Sequence, residues 1–306
     1  MIVGVVRSGL VEAVHPVSVV AVDSTGAVLA SLGDDLERPF FARSAIKPFQ
    51  ALASLRGGAD VTGEALALAG ASHGGQPVHI AHVRQMLSGV SLDESSLLCP
   101  PDLPMSASAR KGREPKPVFH NCSGKHAAML RACVASGWPL DYSEPGHPLQ
   151  VSIRQIYAQA SGVAPEPVGV DGCSIPTLPT HVLGLARAFA RFGTDPEMAG
   201  IRAAYSRFAA LTSDGERREA VLARWLPVVV KGGAMGCIGL AWLEGDVAVA
   251  AKSWTGASVA AGVAVVEILR RVGLLPRFVE EQLAAVARPA VYGGGRPVGR
   301  WEPVAV

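Results

Sequence analysis

Short apolar blocks of strand length occupy both ends of the chain, and apolar residues recur at helical spacing between them. IVGVVR (residues 2–7), HPVSVVAV (15–22) and AVLASL (27–32) are rich in β-branched residues, and the DSTG at 23–26 is a hairpin turn between the last two. SAIKPFQALASL opens a helix at Ser44, with Pro48 confined to its first turn. The spacing predicts further helices over 63–72, 77–87, 124–136, 149–161, 182–192 and 198–211. Residues 98–117, rich in Pro, Ser and basic residues, predict a long functional loop or lid. PVGVD (167–171) is a short strand feeding a Gly-Cys turn. Strands return at 228–231, 236–243 and 246–253, a helix follows at 257–271, and the tail after Pro289 reads as irregular.

Strands at both termini with helices between them predict an α/β (α+β) chain. The economical arrangement is one mostly antiparallel sheet built from the N- and C-terminal strands, with helices around it. The whole chain, 1–306, reads as one catalytic domain, with a sheet part at about 1–43 and 226–290 and a helical part at about 44–225. Serine β-lactamases and penicillin-binding proteins share this broad plan, an analogy of architecture only.

The composition changes this picture little. Apolar residues make up 49% and charged residues 18%, and the formal net charge is +2. No basic run interleaved with aromatics points to nucleic acid. No apolar stretch reaches the roughly 18 residues of a membrane span, and the start reads as a first strand rather than a signal peptide. Five cysteines, an odd number, do not form a disulfide framework, so reduced thiols in the cytoplasm are expected.

Lysine is scarce, and three of the six, Lys47, Lys125 and Lys231, stand in Gly-, Ser- or Cys-rich settings. Ser44-x-x-Lys47 has the spacing at which a helix sets a hydroxyl beside an amine, so that a neutral lysine can take the serine proton. Ser108-x-x-Lys111 matches as well, and the plain alternative makes Ser44 a helix cap and Lys47 a surface residue. HNCSGKHAAM (residues 120–129) places a thiol at Cys122 and an amine at Lys125 on one face of a helix start, which suggests chemistry or a metal. Its alternative is a structural thiol beside a solvated lysine. Ser72 in ASHGG, Cys173 in DGCS and Lys231 in VKGG each sit in a turn-like context. A cap, a tight turn or an exposed lysine explains each of these equally well.

Taken in order, RSAIKPFQ (43–50), ASHGG (71–75), HNCSGKHAAM (120–129), GHPLQ (146–150), DGCSIPT (171–177) and KGGAMG (231–236) resemble the asparaginase II family, the metal-containing asparaginases. The resemblance spans about residues 7–271. It implies a fold similar to the serine β-lactamases, a homodimer, and hydrolysis of L-asparagine to L-aspartate and ammonia. Two serine-lysine pairs are implied, Ser44 with Lys47 and Ser72 with Lys231, with Ser44 as the attacking serine. A zinc site of Cys122, Cys173 and Lys125 completed by water is implied too. Arg43, Asn121, His126 and Asp171 match positions around that site and imply contacts to a small-molecule amide substrate. Thiolates suit zinc, and three protein ligands leave one coordination position open. A lysine must lose its proton to join them.

Several positions depart from the family's pattern: Asp102, His120, Ala128, Ser174, Met235, Thr255 and Val259, and the segment 213–217 reads as shortened. These departures bear on what is bound more than on the reacting groups. Two other readings therefore stand beside asparagine hydrolysis. One is a diverged member that hydrolyses another amide or transfers an acyl group. The other is a non-catalytic zinc protein that binds a small molecule.

Overall fold

A computed structural model describes residues 1–213, 215 and 217–305. Asp214 and Glu216, within the segment read as shortened, lie outside the described residues. Eight strands form one antiparallel sheet: β1 (Ile2–Arg7), β2 (Leu10–Asp23), β3 (Val28–Leu32), β4 (Val228–Gly233), β5 (Cys237–Trp242), β6 (Val247–Ser253), β7 (Ala290–Gly293) and β8 (Arg296–Pro303). Their order is β7-β8-β1-β2-β6-β5-β4, and β3 also pairs with β2. Both termini thus build the sheet, as the sequence predicts.

The boundaries differ in two instructive ways. Strand β2 starts at Leu10, because its first half, exposed and mixed in polarity, pairs with β1 while its second half is buried beside β6. The tail expected to be irregular is the β7–β8 hairpin, and β8 pairs with β1, so the sheet runs on past residue 290 to Pro303. Gly294 and Gly295, at φ +58° and +77°, supply the left-handed pair that a tight two-residue hairpin turn requires.

The longer helices are α1 (Lys47–Arg56), α2 (Gly63–Ala69), α3 (Pro77–Ser88), α4 (Ser123–Ser136), α5 (Pro148–Ser161), α6 (Val182–Thr194), α7 (Ala199–Arg207), α8 (Arg218–Trp225) and α9 (Ser258–Arg271). Ser44 does not lie in α1. It belongs to a 3₁₀ turn, Arg43–Ile46. Pro48 has no N–H to donate to the Ser44 carbonyl, and the Lys47 N–H donates there instead, which is the tighter spacing. Residues 98–117 hold one short helix (Ala107–Arg110) and an isolated bridge between Asp102 and Lys116.

Two apolar cores flank the sheet. One, with α8 and α9, takes Val17, Val19, Val228, Val230, Val249 and Ala251. The other takes Val20, Val22, Val229, Ala248 and Ala250 with helices α1 to α7. Gly239 of β5 admits the Phe189 ring of α6 directly against the strand, where a Cβ would lie 2.2 Å from a ring carbon. Side chains alternate between the faces of a strand. Lys231 therefore follows Val229 onto the face where α1 begins with Lys47. This alternation brings the two lysines to one place.

Gly124, between Cys122 and Lys125, lets α4 lie directly on α2, and a Cβ there would sit 2.6 Å from both Leu68 Oand Leu68 Cγ. Gly→Ala inside a helix gains about 1 kcal/mol of intrinsic propensity. Overpacking against backbone costs about 1–3 kcal/mol. Gly124→Ala is therefore expected to destabilise the chain, read as a lower denaturant midpoint at unchanged slope. A raised midpoint would contradict the close approach.

Candidate active site

Ser72 follows α2 and is 6% exposed. Lys47 Nζ and Lys231 Nζ each lie 2.9 Å from its Oγ. Lys47 Nζ also donates to the Ala71 carbonyl, and Lys231 Nζ to the Gly232 carbonyl at 2.8 Å. Both lysines are buried. Burial drives the Lys231 ammonium well below its ordinary value, and the nearby Lys47 charge adds to this. Burial also lowers Lys47, against the opposing pull of Cys122. A hydroxyl has one proton and two lone pairs. One lysine can donate to Ser72 Oγ while the other, neutral, accepts the serine proton.

Ser44 is half-buried in the turn before α1, and among the described residues no hydrogen bond joins its hydroxyl to Lys47. Its neighbour Arg43 adopts φ +52° and donates from Nε to Asp171 Oδ1 at 2.6 Å. Burial opposes ionisation of Asp171, but Lys125 and Arg43 outweigh it and hold the carboxyl below its usual value.

The sulfur cluster adjoins this pair of lysines. Cys122, Cys173 and Lys125 are all buried, and Lys125 Nζ donates to Cys173 Sγ at 3.0 Å. A hydrogen bond from Cys173 holds Cys122 well below its usual thiol value despite burial, with Lys47 and Lys125 adding to the effect. Cys173 is displaced the other way, above its usual value, by the same hydrogen bond and by burial. Burial opposes the charge of Lys125, but the two sulfurs outweigh it and keep the ammonium above its ordinary value. The Cys122 thiol donates to Asn121 Oδ1 at 3.0 Å. His126 is fully buried and is pushed down to about 4, chiefly by burial.

Every residue that the sequence singled out for the metal or its surroundings therefore lies in one continuous polar cluster. Among the described residues, no group of three or more His, Cys, Asp or Glu side chains is arranged to hold a metal ion. A metal here needs Lys125 as a donor. The donor chemistry, two sulfurs and an amine, fits zinc. Concavities on the surface, such as one of about 410 Å³ lined by Asp60, Glu64, His82 and Arg131, lie elsewhere.

The departing positions differ in setting. The backbone N–H of Cys122 donates to His120 Nδ1 at 3.0 Å. Asp102 is exposed. Met235, 61% exposed at φ +62°, overlies Gly256. Thr255 Oγ1 lies 2.7 Å from His15 Nδ1, and Val259 is exposed.

Two buried residues escaped the sequence reading. Tyr142, fully buried, places its hydroxyl 2.8 Å from His126 Nδ1. The scarcity of tyrosine, four in the chain, is the one signal that pointed to it. Glu219, 4% exposed, pairs with Arg218 Nη2 at 3.1 Å and packs against Gly232, next to Lys231. Its sequence setting, a run of charges opening α8, reads as a solvated helix face.

No curated protein matches this chain. Among solved structures, a β-lactamase from Mycobacterium bovis is similar at 16% identity and a TM-score of 0.48, over 84% of this chain and 95% of that one. A native-form structure of Mglu determined in 4.3 M NaCl gives 14% identity and a TM-score of 0.46, over 86% of this chain and 62% of that one. A second structure of Mglu gives 12% and 0.44, over 85% and 68%. The model of the family described as L-asparaginase II matches residues 3–303, and this chain, with its serine, lysine and cysteine motifs in that family's order, belongs to it.

Proposed function

We propose that this chain is a serine amidohydrolase that releases ammonia from the side-chain amide of L-asparagine. The observation that supports this reading is the Ser72 hydroxyl held between two buried lysines at 2.9 Å each. In the proposed reaction, neutral Lys231 takes the Ser72 proton as Oγ attacks the amide carbon. The C–N bond of the tetrahedral intermediate then breaks, and the lysine proton passes to the departing nitrogen, which leaves as ammonia. Water attacks the resulting ester, and Lys231 takes its proton and returns it to Oγ, giving aspartate and free serine. Lys47 donates to the same oxygen and holds the hydroxyl in place. Cys122, Cys173 and Lys125 would hold a zinc ion, which when bound polarises a carbonyl or orients the substrate.

A second reading gives the attack to Ser44, as the family resemblance implies. Its favouring observation is exposure: Ser44 is half-buried where Ser72 is buried. Lys47 then serves Ser44, and Ser72 with Lys231 relays the proton.

Acyl-enzyme trapping with an activated ester or amide, followed by peptide mass mapping, separates these readings. The adduct is expected on Ser72 and absent from Ser72→Ala; an adduct on Ser44 would transfer the nucleophile's role there. Lys231→Met is expected to lower kcat/KM for ammonia release by about 10²–10⁴-fold, the usual contribution of a positioned base. A panel of asparagine, glutamine and simpler amides, read by ammonia release, tests the substrate. No turnover of any of them would leave binding alone.

Lysine acts as a base only when neutral, so activity must fall as pH drops through its value in the folded protein. Lys231 lies well below its ordinary 10.5. The acid limb of the kcat/KM profile is therefore expected well below that figure and should vanish in Lys231→Met. A limb at the ordinary lysine value would contradict a buried neutral base.

Stoichiometric zinc is expected on metal analysis of the purified chain, and it should be lost in Cys122→Ser, Cys173→Ser and Lys125→Met. Retention of zinc in all three would place the metal elsewhere.

A further inference from the structure

His73 follows Ser72 in the ASHGG motif, and the reaction described above gives it no part. It is fully buried, as is Ser123, the first residue of α4. The backbone N–H of Gly75 donates to His73 Nδ1 at 3.2 Å, and His73 Nε2 lies 3.0 Å from Ser123 Oγ. The Ser123 hydroxyl donates to the Val118 carbonyl at 2.8 Å.

These contacts fix the direction of every bond. A backbone N–H can only donate, so Nδ1 offers its lone pair and the proton of a neutral ring sits on Nε2. The Ser123 hydroxyl has one proton, and the Val118 carbonyl takes it. Its oxygen therefore accepts from His73 Nε2–H. Burial, with His79 and Lys47 adding to it, drives the imidazole well below its ordinary value, in agreement with a neutral ring.

The main chain of His73 makes a second link to the same place. Its N–H donates to the Asn121 carbonyl at 3.1 Å. One residue thus grips the chain at Asn121 and at Ser123, on either side of Cys122. The residue before it is Ser72, whose hydroxyl meets both lysines. A single side chain therefore ties the serine to the sulfur loop across 50 positions of sequence.

We propose that His73 is a positioning residue that clasps both flanks of Cys122 and so fixes that sulfur relative to Ser72. Partners that hold a metal donor in place set the affinity of the site as well as its shape. The inference rests on Cys122 being a metal donor in the same site as Ser72, and not on amide turnover.

A plainer role for the ring is to close the turn at 73–75 through Nδ1. Two substitutions separate the roles. In His73→Asn the amide oxygen stands near the place of Nδ1 and keeps Gly75 N–H satisfied, but the side chain falls short of Ser123. In His73→Gln the amide nitrogen reaches the place of Nε2 and keeps the bond to Ser123. Both lose the stacking against His79, at 5.2 Å between ring centroids, so that loss cancels between them. Both keep the main-chain attachments of the loop: His73 N–H to Asn121, Ser72 N–H to the Thr212 carbonyl at 3.2 Å, and Ser106 N–H to the Gly74 carbonyl at 2.8 Å.

Zinc affinity of the full chain, read by chelator competition, decides between them whether or not any amide is turned over. His73→Asn is expected to weaken zinc about 10–100-fold, the usual cost of losing a supporting partner of a metal site. His73→Gln is expected to stay close to the wild type. Ser123→Ala, which removes one oxygen, is expected to weaken zinc as His73→Asn does, and the two together should do little more than either alone. The reverse order, with His73→Asn tight and His73→Gln weak, would overturn the proposal, and so would wild-type affinity in all three. A wild type that binds no zinc would overturn it along with the metal site, whereas a wrong order in a zinc-binding chain would overturn it alone.

The tautomer supplies a reading that needs no metal. Long-range ¹H–¹⁵N correlations on the ¹⁵N-histidine-labelled chain, with His73 assigned by its response to Ser123→Ala, are expected to show Nε2–H. An Nδ1–H ring or an imidazolium would contradict the clasp. If either His73 variant fails to fold, Ser123→Ala and the wild-type tautomer decide.

Discussion

Two lysine ammonium groups packed around one buried hydroxyl repel each other. The nitrogens of Lys47 and Lys231 each touch Ser72 Oγ. Contacts of 2.9 Å each set the two nitrogens at most about 6 Å apart, and two unit charges at that distance, at an effective dielectric of about 20, repel by about 3 kcal/mol. That equals about two pK units, before either group pays for leaving water. Repulsion and burial together favour the neutral form of one amine, and the deeper depression falls on Lys231. In the proposed reaction this is how a residue that in water is almost always an acid serves as a base. The rest of the site takes its meaning from this constraint.

The sulfur cluster is the electrostatic counterweight. Cys122 lies close enough to pull Lys47 back toward its charged form, and Lys47 in turn helps lower Cys122. Lys125 is kept charged by the same sulfurs. Negative sulfur beside positive nitrogen lets several ionisable groups share one poorly hydrated volume. Both lysines meet a carbonyl and the Ser72 hydroxyl, but Cys122 weighs more heavily on Lys47 than on Lys231. Arg43 and Asp171 close the same cluster from the other side with an ion pair at 2.6 Å.

Much of the fold was legible because it follows from local patterning. The Val-rich blocks of β2, β4 and β6 predict strands, and their alternation assigns each residue to a face once one neighbour is known. The C-terminal hairpin was missed although its signal was present. Gly293-Gly294-Gly295 and Pro297 read as punctuation, and the pairing that makes residues 296–303 a strand is with β1 at the far end of the chain. Strand pairing across nearly 300 residues leaves no local mark. The Pro48 effect is the converse case. Its missing N–H follows from the sequence, yet the 3₁₀ turn that places Ser44 outside α1 emerges only when the carbonyl's partner is found.

The sequence by itself determined which groups could react. It supplied scarce lysines in glycine- and cysteine-rich turns, two cysteines in separate motifs, and a motif order shared with one family. Spacing of three residues suggested that Lys47 serves Ser44. Only the tertiary structure decided that its nitrogen reaches Ser72, a residue 25 positions away, and that Lys231, 159 positions from Ser72, reaches the same oxygen. Depth of burial and the identity of a buried proton's acceptor are properties of the packed chain. For that reason the depressed lysines, the lowered Cys122 thiol and the Tyr142–His126 contact have no signature in any single segment.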